Sequence, residues 1–69
     1  MEVILENKKL KLKIFEKFDS YQKFAYQADV SEKTIIDIVK QRRKPHTKTV
    51  INIVNALDIE HPDEVNLEY

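Results

Sequence analysis

The chain has neither cysteine nor glycine, and its 69 residues include only two prolines, two histidines and one methionine. Each scarcity removes a class of chemistry. Without cysteine there is no disulfide staple, no thiolate metal site and no thiol nucleophile. Without glycine there is no glycine-rich phosphate loop. Tight primed hairpins also lose their usual residue, although Asn and Asp tolerate positive φ. His46 and His61 are too few to hold a metal without carboxylate help, so no metal and no cofactor is expected. The apolar runs reach only three residues, so neither a membrane span nor a secretory core is expected.

What remains suits one small helical domain over residues 1–69. Hydrophobic residues make up 42% of the chain and charged residues 35%. A chain of this length buries only about 60% of its unfolded surface, so its stability is modest unless a partner adds to it. The net charge is zero, with twelve basic and twelve acidic residues, yet the charges are segregated. Residues 1–57 hold all twelve Lys and Arg against seven acids, a balance of +5, while residues 58–69 hold five acids and no Lys or Arg, a balance of −5. A basic body with an acidic tail points towards nucleic acid more than the net charge does. Simple solubility explains the same asymmetry equally well.

Apolar spacing predicts five helical segments. Leu10, Ile14, Phe15 and Phe18 fall on one helical face, which gives a helix over about residues 7–18 with Asn7 as its N-cap. Leu10, Leu12 and Ile14 also alternate with lysines, so a hairpin over residues 2–15 stays open as an alternative. Residues 1–6 read as an extended arm. Asp19 or Ser20 can cap a second helix with Tyr21, Phe24, Ala25 and Ala28 on its inner face. Ser31 can cap a third, from Glu32 to about Lys40, with Ile35, Ile38 and Val39 inward. Gln41, Arg42, Arg43, Lys44 and Pro45 form a basic loop, and Pro45 biases its predecessor away from helix. Thr47 can cap a fourth helix with Val50, Ile53, Val54 and Leu57 inward. Pro62 suits the first turn of a short acidic tail helix within residues 60–69, with Val65 and one of Leu67 or Tyr69 turned in. Phe15, Phe18 and Phe24 are expected in the core.

Two short helices joined by the turn Asp29, Val30 and Ser31 form a helix-turn-helix pattern at about residues 20–40. Ala25 is small where the helices must cross, Val30 plugs the turn, and Ile35 packs back. The run SYQKFAYQADVS over residues 20–31 resembles the Cro and lambda-type repressor family (the XRE class). The likeness continues through Thr34, Ile35 and Ile38, the basic loop, Thr49, Val50 and Ile53. It closes at Ala56, Leu57, Asp58 and Ile59, similar to that family's Ala-Leu-Gly-Val. About forty residues, 20–59, align without a gap. The chain departs from the pattern where the family has glycine in the turn (here Asp29) and glutamate and glycine at the end of the recognition helix (here Val39 and Gln41). These departures leave room for that helix to run on into the basic loop.

The resemblance implies an all-α, lambda-repressor-like fold and sequence-specific binding of double-stranded DNA, with the third helix in the major groove. On matching positions the base-contacting residues are Glu32, Lys33, Ile36 and Asp37. Lys33 can donate to guanine, Glu32 can accept from cytosine, and Ile36 can meet a thymine methyl. An ordinary solvated helix face is the plainer account of the same residues. Phosphate contacts fall to Tyr21 and Ser31 at helix starts and to Lys40, Arg42, Arg43, Lys44 and Lys48. The implied protein is a cytoplasmic, nucleoid-associated repressor that binds its operator as a homodimer, with Ile51, Val65 and Leu67 as exposed dimer contacts. No catalysis is expected, since Ser20 and Ser31 read as caps and no paired carboxylates sit at useful spacing on one element. No small-molecule ligand and no membrane contact is expected either. The alternative is a protein-interaction module of the same fold, of the antirepressor or antitoxin kind, using an exposed Ile36.

Overall fold

The computed structural model describes residues 6–69. These form four α-helices: α1 (Lys8–Lys17), α2 (Tyr21–Ala28), α3 (Glu32–Val39) and α4 (Thr47–Leu57). A single 3-10 turn, Pro62–Val65, follows. The described residues contain no strand, so the chain is all-α there and α1 replaces the hairpin alternative over its length. The expected N-terminal arm lies outside the described residues except for Glu6, which pairs with Lys11 at 3.3 Å.

Each of the first three helices begins at a short polar side chain. Asn7 Oδ1 accepts the Leu10 N–H at 3.2 Å, Ser20 Oγ that of Lys23 at 3.2 Å, and Ser31 Oγ that of Thr34 at 3.1 Å. The first N–H groups of a helix have no partner within it, and these oxygens supply one. Inside, α2 packs on α3 and α4, while α1 lies across α3, α4 and the 3-10 turn. The core joins Leu10 and Ile14 of α1, Phe24, Ala25 and Ala28 of α2, and Ile35, Ile38 and Val39 of α3 to Val50, Ile53, Val54 and Leu57 of α4, closed by Val65 and Leu67. Full burial of one such aliphatic or aromatic side chain contributes about 1.5–3 kcal/mol. Phe24 and Ile35 therefore hold the α2–α3 pair more firmly than any surface contact does.

The lack of glycine has a visible consequence at the helix ends. Asp29, Gln41, Asp58 and Asn66 all adopt left-handed backbone, with φ of 57–59°. Each terminates a helical segment by the same pair of hydrogen bonds. After α2, Val30 donates to the Ala25 carbonyl at 3.0 Å and Asp29 to that of Tyr26 at 3.2 Å. Arg42 and Gln41 repeat this after α3, Ile59 and Asp58 after α4, and Leu67 and Asn66 after the 3-10 turn. Left-handed backbone crowds Cβ, and Asp and Asn relieve part of that cost with a short polar side chain. Gln41 meets the same crowding with a longer side chain. The residue after the left-handed position usually packs back on its helix. Val30, Ile59 and Leu67 do so as apolar plugs, whereas after α3 that place is taken by Arg42.

Several expectations are corrected. The fourth helix is capped from His46, which makes no side-chain cap bond. Thr47 is already helical, and its hydroxyl donates to the Tyr69 carbonyl at 3.1 Å. Phe15 is 44% exposed, because the inward face of α1 is filled by Leu10 and Ile14 and its ring turns to Tyr21. Phe18 is only partly buried, resting on Phe24 with ring centres 5.2 Å apart. Val65 and Leu67 are buried, so neither is free as a dimer contact, while Ile51 stays exposed. The tail helix is one turn long, and Tyr69 faces outwards. Recognition-helix extension does not occur, since α3 stops at Val39 and Gln41 turns left-handed.

Candidate nucleic-acid interface

The α2–turn–α3 unit is fixed from within. Ala25 is buried at the contact of the two helices, and the turn closes through the bonds of Asp29 and Val30 described above. This frees the start of α3. Ser31, Glu32 and Lys33 are all exposed there. Ser31 Oγ lies 2.7 Å from the Thr34 hydroxyl, so its side chain is held while the remaining N–H groups of the first turn face outwards. A helix start with exposed N–H groups carries partial positive charge and favours an anion.

The four residues expected to meet bases do not share one environment. Glu32 and Lys33 stand free in solvent. Ile36 is half-buried, not exposed. The Asp37 side chain is only 15% exposed and lies 3.8 Å from the Arg42 guanidinium. The Arg42 N–H also donates to the Asp37 carbonyl at 2.8 Å. Asp37 therefore fastens the basic loop to α3 and offers little free surface of its own. The Lys33–Asp37 pair that helical spacing permits is absent, because Asp37 is already engaged.

Behind α3 the cations gather. Lys40 ends the helix half-buried, and Arg42, Arg43, Lys44 and Lys48 are exposed. No acid occurs between residues 38 and 57, so this strip is uniformly basic. An open cleft of about 330 Å³ separates the loop from the chain's end, with Ile38, Arg42, Lys44, Leu67 and Glu68 among its walls.

Tyr21 sits apart from this surface. Its ring meets Phe15 edge-on at 5.0 Å, between α1 and α2. Burial raises its hydroxyl pKa above the ordinary value, with Lys11 lowering it and Glu6 raising it. Its hydroxyl is thus in the neighbourhood of α1. Spacing along the sequence gave no sign of the Asp37–Arg42 tie, which spans a helix end, nor of Tyr26, 88% exposed on the outer face of α2.

Among the described residues no group of His, Asp or Glu could hold a metal ion, and no helix is long and apolar enough to cross a membrane. No family model, curated protein or solved structure matches the chain.

Proposed function

We propose that this chain is a small repressor-type transcriptional regulator that binds double-stranded DNA. The observation that carries the reading is the Ser31-capped start of α3, with Glu32 and Lys33 exposed and a uniformly basic strip directly behind. A major groove admits one helix. In this reading Lys33 and Glu32 meet base edges, and Ile36 meets a thymine methyl with its outer half. Asp37 positions Arg42 against the backbone. Lys40, Arg42, Arg43, Lys44 and Lys48 neutralise phosphates, and Ser31 marks the helix start that meets one. Tyr21, turned towards α1, contributes least. The left-handed backbone at Asp29, Gln41 and Asp58, the places where the resembling family has glycine, also supports a repressor-like course of the chain.

One such module covers only about 600–1,000 Å² of surface, so useful affinity calls for a homodimer with recognition helices about one DNA turn apart. Its mechanism is occlusion of polymerase from an operator, in the cytoplasm at the nucleoid. A protein-only module of the same fold would need Ile36 at the centre of an exposed apolar patch. Its outer half is enough for one methyl contact but makes no such patch, since Glu32, Lys33 and Lys40 lie one turn away on the same helix.

The test is fluorescence anisotropy with a random duplex and with a pool selected for binding, across salt. Five phosphate-facing cations predict a slope of log affinity against log salt of about −4 to −5 for each bound protomer, and about twice that for the dimer on a palindrome. A selected palindrome whose base preference changes in Lys33→Ala supports the reading. Absence of binding at low salt overturns it.

A further inference from the structure

The surface formed by α1 and the chain after α4 carries two parallel charge stripes. Lys9, Lys13 and Lys17 recur every fourth residue and so form one row along α1. That helix holds five lysines and a single acid, Glu16. The chain after α4 runs back along it. At one end Lys17 Nζ donates to the Leu57 carbonyl at 2.5 Å. At the other, Asn7 Nδ2 donates to the Val65 carbonyl at 2.8 Å. Residues 57–65 are thus antiparallel to α1, and within them Asp58, Glu60, Asp63 and Glu64 are all exposed. Among the described residues, none of these acids and none of the three lysines forms an ion pair. Apolar surface accompanies each stripe. Leu12 is 66% exposed beside Lys13, and Ile59 is half-buried between Asp58 and Glu60.

We propose that the chain pairs with a second copy of itself here, α1 of each protomer lying against residues 58–64 of the other. Two adjacent stripes of opposite charge are self-complementary about a two-fold axis, which is what a closed dimer requires. The same stripes disfavour other occupants. Nucleic acid or an anionic membrane attracted by the lysines meets four acids alongside them, and a basic partner attracted by the acids meets the lysines. This surface gives the dimer of the proposed function its interface. It is measured without nucleic acid, so failure of DNA binding and failure of pairing are separate results.

The experiment is sedimentation equilibrium of the whole chain at about 0.01 M and about 1 M salt, where the screening length is roughly 30 Å and 3 Å. A dimer at low salt is expected, with its dissociation constant raised at least about tenfold at high salt. Two charge-reversed chains complete the test: Lys9→Glu with Lys13→Glu, and Glu60→Lys with Asp63→Lys. All four positions lie outside the core, and circular dichroism checks that each chain stays helical. Each reversed chain alone is expected to be monomeric. Mixed one to one they should associate, because the reversed α1 of one meets the reversed tail of the other and the two unreversed stripes also match. A monomer at low salt, a dimer indifferent to either reversal, or folded variants that do not associate on mixing each overturn the proposal.

Discussion

Asn7 at the start of α1 and Ser31 at the start of α3 make the same local bond. Each accepts an N–H three residues along, at 3.2 Å and 3.1 Å. Their surroundings differ. Asn7 is 5% exposed, its amide reaches the Val65 carbonyl, and its own N–H donates to the Val39 carbonyl at 2.6 Å. It joins α1, the end of α3 and the 3-10 turn. Ser31 is exposed and bonds only within its own first turn. The contrast teaches that one capping signal serves two purposes, closing a buried junction in one place and leaving a helix end accessible in the other.

Asn7→Ala should show the largest effect, about 2–3 kcal/mol of lost stability, because the cap goes and the buried Val65 carbonyl loses its donor. Urea unfolding followed by circular dichroism measures it. Asn7→Ser sharpens the point. It keeps a cap oxygen but lacks the amide donor, so it should retain part of the loss. Ser31→Ala should cost about 1 kcal/mol, the ordinary value of an exposed cap. If Asn7→Ala proves as mild as Ser31→Ala, the junction adds nothing beyond local capping. At the other end of α3, Gln41→Gly should stabilise by about 0.5–1 kcal/mol, left-handed strain relieved less the added freedom of the unfolded chain. Asp58→Gly, where the short side chain already fits, should gain only a few tenths by the same reasoning. Equal gains at both would remove the distinction between glutamine and aspartate drawn above.

The helices were legible because their signals are local. Apolar residues three and four apart, and Asn7, Ser20 and Ser31 ahead of them, mark α1, α2 and α3. Misreadings arose where distant chain decides. Thr47 looks like a cap, but its hydroxyl goes to the Tyr69 carbonyl, some twenty residues on. Val65 and Leu67 carry spacing that suits both the core and a partner, and the core claims them. Val65 turns in as its spacing suggests, Leu67 rather than Tyr69 joins it, and neither is left for a dimer contact. Phe15 shares the spacing of a core residue, but two neighbours already fill the inner face. At the candidate site Lys33 and Glu32 stand where spacing put them. Asp37 does not, because its partner Arg42 arrives only after the left-handed turn at Gln41, and no periodicity records that turn.

The bond between Asn7 and the Val65 carbonyl spans 58 positions, nearly the whole chain. During synthesis, then, α1 emerges before the other described helices, yet its packing is completed only once Val65 and Leu67 have followed. Leu10 and Ile14 wait for Val65 and Leu67 to cover them. A nascent chain halted after α4 would hold every helix of the α2–α3–α4 group and still leave the door beside α1 open.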